Sequence, residues 1–136
     1  MGAVRAGFKG KYVLSPHEFY KVYHHCMMYN EWLAEYEKIN IEPQAVAYDK
    51  EPAPGGDPDP MFRRSEKRIR YEEKMRLIEE TTREADPYIA QYLLKAVTQE
   101  GVTYTYLRET MQIPCGKNYY YERRRRFYWL MAKKLA

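Results

Sequence analysis

The C-terminal run of residues 117–129 places cationic and aromatic side chains together on one predicted helix. It begins with Lys117 and Asn118, continues through three tyrosines and Glu122, and then has four consecutive arginines before Phe127, Tyr128 and Trp129. A guanidinium group presents several N–H donors in a planar fork, which suits phosphate oxygens and base edges better than an ammonium group does. The chemistry that these residue types indicate is recognition of a polyanion.

The helical repeat separates the four arginines into two pairs. With Tyr120 placed at the core and 100° per residue, Arg125 and Arg126 point outward together with Glu122 and Trp129. Arg123 and Arg124 flank the core, so their stems are expected to lie across its edge with their charged heads in water.

A short helix and a tight turn precede this run and complete a helix-turn-helix outline. Thr103 can be the N-cap of the short helix, and the sequence from Ile113 to Gly116 breaks it. Pro114 disfavours helical geometry at Ile113, and Gly116 permits a positive φ in the turn. In helix-turn-helix docking the first residues of the second helix meet base edges, and basic residues hold the backbone. By position, base contacts fall to Lys117, Asn118, Tyr121 and Glu122, and phosphate contacts to Arg123, Arg125, Arg126 and Arg108.

The charge of the chain is unevenly distributed. The net charge is only +4, but residues 117–136 hold seven Lys or Arg against one acid, whereas residues 30–60 hold eight acids against two lysines. A local field of this kind says more about partners than the whole-chain charge. Duplex DNA is therefore the first partner that we expect.

The same residues resemble a known family. Gly101-Val102-Thr103-Tyr104, Leu107, the turn Ile113 to Gly116, and Tyr120-Tyr121 followed by arginines and Phe127-Tyr128 are similar to the C-terminal helix-turn-helix of small regulators from phages and mobile elements of Gram-positive bacteria. That group includes ArpU-like late-gene regulators and proteins similar to region four of sigma factors. The resemblance covers about residues 65–136, and it implies DNA binding and control of transcription for that half.

The rest of the chain is predicted to be helical, with a linker. Ser15, Pro16 and Glu18 form a capping box that opens an amphipathic helix reaching about residue 39. Five prolines and several acids in residues 41–60 predict an extended, disordered acidic linker. It divides a basic lead-in plus amphipathic helix, residues 1–40, from a helical helix-turn-helix domain, residues 61–136. In that domain we predict a solvent-facing helix to about Glu84, one opened by Asp86-Pro87 and ended by Gly101, and the two described above, which makes an all-α protein of about five helices.

The N-terminal helix carries a second candidate surface. Met27, Met28, Trp32 and Tyr36 give it a soft aromatic face, which is usually core material. In so small a chain this face could also pack on a second copy or on a host protein. An alternative function follows: a mobile-element interaction protein that inhibits a host nucleic-acid enzyme, such as an anti-CRISPR or anti-defence protein.

Other chemistry finds little support in the sequence. His24, His25 and Cys26 are adjacent, so on a helix they point about 100° apart and cannot chelate one metal ion. Cys26 and Cys115 show no framework spacing and are expected to be free thiols. The chain lacks the phosphate loop, nucleophile elbow and metalloprotease motifs, so we expect no enzyme, cofactor or metal. It also lacks a membrane span or signal peptide, and we expect a cytoplasmic protein of a bacterial host cell, with no membrane partner.

Overall fold

The structure, a computed structural model, describes residues 10–41 and 59–136. Within these ranges the chain forms helices and no strand, which confirms the all-α prediction. The predicted linker lies almost wholly outside the described residues, as does most of the basic lead-in. The six helices are α1 (Pro16–Met27), α2 (Tyr29–Ile41), α3 (Pro60–Ala85), α4 (Ala90–Thr98), α5 (Tyr104–Met111) and α6 (Lys117–Leu135).

The first predicted helix begins as expected but is two helices rather than one. Ser15 Oγ accepts a hydrogen bond from the backbone N–H of Glu18 at 3.2 Å, and Pro16 occupies the first turn. At Met28 the backbone N–H turns to the carbonyl of His25, at 3.2 Å, which tightens the end of α1. A second helix then starts at Tyr29, so the expectation of an unbroken helix to about residue 39 is wrong.

The start of α4 also differs from the prediction. Asp86 ends α3 in extended geometry and does not open a helix at Pro87; its Oδ1 accepts the backbone N–H of Tyr88 at 2.8 Å within a turn. The helix begins only at Ala90, and it ends at Thr98. Gly101, with φ of 77°, lies in the following turn and not at the helix end.

One hydrophobic core joins helices from both sides of residues 42–58. Phe19, Val22 and Cys26 of α1 belong to the same buried cluster as Leu93 and Val97 of α4 and Phe127 and Met131 of α6. Burial of such side chains stabilises the fold by roughly 1.5 to 3 kcal/mol each. The N-terminal helices are thus docked on the rest of the same chain.

Helices α2 and α3 form an antiparallel pair. Near the start of α2, Tyr29 donates its hydroxyl to Glu79 Oε2 at 2.5 Å, and one helical heptad later Tyr36 donates to Glu72 Oε1 at 2.7 Å. At the far end, Arg64 donates to the carbonyl of Ile39 at 3.1 Å. These contacts attach α2 along its length to residues 64–79 of α3.

None of the helices in the described ranges combines the length and apolar character needed to cross a bilayer.

His25 makes the stability of the α1–α2 junction depend on pH. Burial, and secondly the charge of Lys74, lower the pKa of His25 below its ordinary value of 6.5. Its Nε2 is buried without a hydrogen-bond partner in the described structure, and its ring meets the edge of Trp32 at 5.1 Å. Protonation is therefore easier in the unfolded chain than in the folded one.

We expect the free energy of unfolding to fall as the pH drops from about 6.5 toward the lowered pKa of folded His25. Urea titrations at a series of pH values would measure this slope. His25→Phe should remove the part of this slope that comes from protonation of His25. An identical slope in wild type and His25→Phe would contradict the assignment.

Candidate nucleic-acid interface

The turn between α5 and α6 is held by side-chain and backbone hydrogen bonds. Thr103 caps α5 by accepting the backbone N–H of Tyr106 at 3.2 Å. The hydroxyl of Tyr104 donates to the carbonyl of Cys115 at 2.7 Å, and the N–H of Ile113 donates to the carbonyl of Leu107 at 3.0 Å. Contacts made by α5 therefore fix the path by which the chain enters α6.

The positive φ in this turn is at Gln112 and not at Gly116, which corrects the sequence prediction. Gln112 ends α5 in the left-handed region with φ of 57°, whereas Gly116 has φ of −79° and is the N-cap residue of α6. Left-handed geometry places the following Ile113, 6% exposed, in the core. Helix α6 then begins at Lys117, as predicted.

The first turns of α6 divide between core and solvent. Tyr120 is 1% exposed, and burial raises its pKa to about 12. Lys117, Asn118 and Glu122 are exposed, and Tyr121 is partly exposed with its ring at 5.0 Å from that of Tyr120. Three of the four predicted base-reading residues are thus on the open surface at the start of the helix.

Asp86 anchors this end of α6 to the end of α3. It is only 5% exposed, accepts a hydrogen bond from the hydroxyl of Tyr119, and lies with Oδ2 at 3.2 Å from Nε of Arg123. The guanidinium carbon of Arg123 lies at 4.9 Å from the Tyr119 ring centroid. The hydrogen bond to Asp86 is the leading cause that raises the pKa of Tyr119. Arg123, predicted to hold phosphate, is therefore engaged by a carboxylate of its own chain.

Arg124 is buried, so the expectation that its head lies in water is wrong. Its side chain is 7% exposed, with the guanidinium carbon at 5.0 Å from the Tyr128 ring centroid and 5.9 Å from that of Phe19. Docking of α1 on this face of α6 covers it, since Phe19 also meets Tyr128 edge to face at 4.8 Å. The helical repeat of α6 places Arg124 at the edge of the core, but it contains no information about α1, which packs over this residue.

Residues before α1 cross the outer face of α6. Tyr12 is 7% exposed, and its ring meets that of Trp129 at 5.4 Å in an edge arrangement. Arg126 donates from one terminal nitrogen to the Tyr12 hydroxyl at 3.3 Å. Lys133 lies over the Trp129 ring at 3.5 Å. Arg126 and Trp129, predicted to point freely outward, are partly covered by this segment.

The remaining predicted phosphate contacts keep an open surface. Arg108 is exposed on α5, and Arg125 is partly exposed on α6. Lys117 is a third exposed cation, at the first residue of α6 and eight residues before Arg125. The structure thus retains two of the four predicted phosphate contacts as accessible groups and uses Arg123 and Arg126 internally.

The predicted protein-binding face on the N-terminal helices is mainly an intramolecular contact. Trp32 is 7% exposed, between the His25 ring and the ammonium group of Lys74, 5.2 Å from its ring centroid. Tyr36 is bonded to Glu72 of α3. Met27 is partly exposed, and Met28 is 38% exposed at the α1–α2 break. The apolar face predicted from the sequence is therefore largely covered by packing against α3.

The cysteines and histidines do not assemble into a reactive or metal-binding group in the described ranges. Both cysteines are free, and burial raises the pKa of the Cys26 thiol to about 12. Burial, and secondly the charge of Asp86, also raise the pKa of the Cys115 thiol above its ordinary value. No cluster of three or more metal-ligating side chains occurs within residues 10–41 and 59–136.

Comparison of the chain with protein-family models, with curated proteins and with solved structures found no match.

Proposed function

We propose that this chain binds duplex DNA through α5, the turn and the start of α6, and that it regulates transcription for a phage or mobile element. The observation that supports the proposal is the exposure of Lys117, Asn118 and Glu122 at the entry of a long helix whose turn is fixed by the Tyr104–Cys115 hydrogen bond. An amide, an ammonium and a carboxylate together offer donors and acceptors for base edges in the major groove.

The charge around this end of α6 is consistent with backbone contacts on both sides of the reading residues. Arg108 belongs to the helix before the turn, and Arg125 follows Glu122 by about one helical turn. Cations placed in this way position a helix on the duplex without reading sequence. The role in transcription comes from the resemblance to phage and mobile-element regulators, and it is the second step of the proposal.

The experiment that tests DNA binding is selection from a random duplex library with the full-length chain, followed by anisotropy titrations on the enriched site. Asn118→Ala and Glu122→Gln should each relax the preference at one or two base pairs, by about 1 to 3 kcal/mol of discrimination. Gln91→Ala, at an exposed position of α4, is the control and should keep the wild-type preference. A library that shows no enrichment, or preferences unchanged in both variants, would refute base reading by α6.

One observation favours the alternative function, inhibition of a host nucleic-acid enzyme. Arg123 and Arg126 are engaged by Asp86 and Tyr12, which leaves fewer cations for naked duplex than the sequence contains. An inhibitor would form a stoichiometric complex with a host protein that survives nuclease treatment. Such a complex, together with weak binding to duplex at physiological salt, would favour this alternative over the regulator.

A further inference from the structure

The first part of α3, residues 60–70, is a basic and highly exposed helical segment, which we call the basic segment. Every residue in it is exposed except Arg64, which is partly exposed. It holds five cations against the single acid Glu66, whereas residues 71–85 of the same helix hold three cations against five acids. The positive charge of α3 is thus concentrated in the half that is farthest from the end of the helix attached to α6.

Four of the cations in α3 form one row. Arg63, Lys67, Arg70 and Lys74 follow each other at spacings of four, three and four residues, so helical geometry places them within about 60° of each other. At about 1.5 Å per residue the row is roughly 16 Å long. Lys74, over the Trp32 ring, lies at the inner end of the row. Lys67 and Arg70 are exposed in its middle.

A row of this length matches the regular negative charge of a nucleic-acid backbone. Each DNA strand carries a phosphate about every 3.4 Å of helix axis, so a 16 Å row spans several phosphates. The large apolar residues of the segment are elsewhere: Met61, Phe62 and Ile69 are 39%, 61% and 49% exposed. Each of them lies about 100° or more from the middle of the row. They therefore do not interrupt a contact between the cations and a polyanion.

We propose that the basic segment of α3 is a second nucleic-acid contact, which binds the phosphate backbone without reading sequence. The inference rests on the proposed function, because it takes duplex DNA as the ligand. Arg70 precedes Asp86 by 16 residues, about 24 Å along the helix, and Asp86 is where α6 is attached. The two surfaces are therefore separate and contact different stretches of backbone.

The test removes two charges from the row and two from elsewhere on the same helix. Lys67→Gln/Arg70→Gln is compared with Arg76→Gln/Arg83→Gln, which has the same charge change at exposed positions outside the row. Anisotropy titrations of the full chain with a 20 bp duplex at several salt concentrations give the slope of log K against log salt. The first variant should reduce the slope by about 1.8 and the affinity at 0.15 M salt by roughly 30-fold, equally on enriched and random duplexes.

The control pair should behave as wild type, and Phe62→Ser/Ile69→Ser should keep the wild-type slope. A slope unchanged by the loss of Lys67 and Arg70, or one changed equally by the control pair, would overturn the inference. A loss of affinity in the Phe62→Ser/Ile69→Ser variant alone would also overturn it, since the segment would then bind through its apolar face. If Lys67→Gln/Arg70→Gln binds like wild type while Asn118→Ala still relaxes the base preference, only the second contact is contradicted. If Lys67→Gln/Arg70→Gln weakens binding while Asn118→Ala keeps the wild-type preference, only base reading by α6 is contradicted.

Discussion

Asp86→Ala is expected to destabilise the protein by about 3 kcal/mol. The substitution leaves the backbone N–H of Tyr88 and the hydroxyl of Tyr119 without their acceptor, and it removes the carboxylate that pairs with the guanidinium of Arg123. Hydrogen bonds to a charged group contribute about 1.5 to 3 kcal/mol, and removal of one partner of a buried pair costs more than removal of a surface one. Arg123 is 27% exposed and regains some hydration, which reduces the loss. Urea unfolding followed by circular dichroism measures the change.

The chain contains a matched control for this prediction. Glu84 pairs with Lys134 at 2.6 Å and also joins α3 to α6, but its side chain is 52% exposed. Surface pairs contribute about 0 to 1 kcal/mol, so Glu84→Ala should shift the free energy of unfolding by less than about 1 kcal/mol. If the two substitutions destabilise the protein equally, the burial of Asp86 does not carry the anchoring role given to it.

N-cap rules predicted helix ends correctly where the cap involves only residues close in the sequence. Ser15 and Thr103 cap their helices as expected, since a hydroxyl and an N–H three residues later settle such a cap. Asp86 shows the limit of these rules. Its sequence is that of a cap followed by proline, but a tyrosine and an arginine from α6, 33 and 37 residues later, fix the carboxylate in another role. Only tertiary contacts decide between the two.

The candidate site was predicted in part for the same reason. Tyr120 and Phe127 define the buried side of α6, so the exposure of Asn118 and Glu122 on the other side followed from the helical repeat. The repeat does not contain the segment that crosses α6. Tyr12 has no periodic signal around it, and its contact with Arg126 joins residues 114 positions apart. The sequence pattern therefore assigned Arg126 to a phosphate group, whereas in the structure the hydroxyl of Tyr12 accepts a hydrogen bond from it.

The largest functional effect is expected from removal of the accessible cations around the start of α6. Arg108→Gln/Lys117→Gln/Arg125→Gln should lower duplex affinity at 0.15 M salt on the order of 100-fold, and it should reduce the slope of log K against log salt by about 2.7. The physical reason is the loss of three phosphate contacts, each of which releases condensed counterions when it forms. All three side chains are exposed or partly exposed, so the fold should be retained, with a change of about 0.5 kcal/mol or less for each.

The matched control removes three exposed cations from other faces of the protein, in Lys21→Gln/Lys38→Gln/Arg83→Gln. Equal losses of affinity in the two triple variants would mean that DNA responds only to net charge, and α6 would then have no special position on the duplex. A loss confined to the first variant, with both proteins unfolding at the wild-type urea concentration, places the contact at the α5–α6 surface. Because Arg123 is held by Asp86, Arg123→Gln should act mainly through stability and change affinity less than Arg125→Gln does. Arg123 and Arg125 are two positions apart and carry the same charge. A difference between their variants therefore shows that affinity depends on where each arginine lies in the fold, and not only on how many arginines the helix contains.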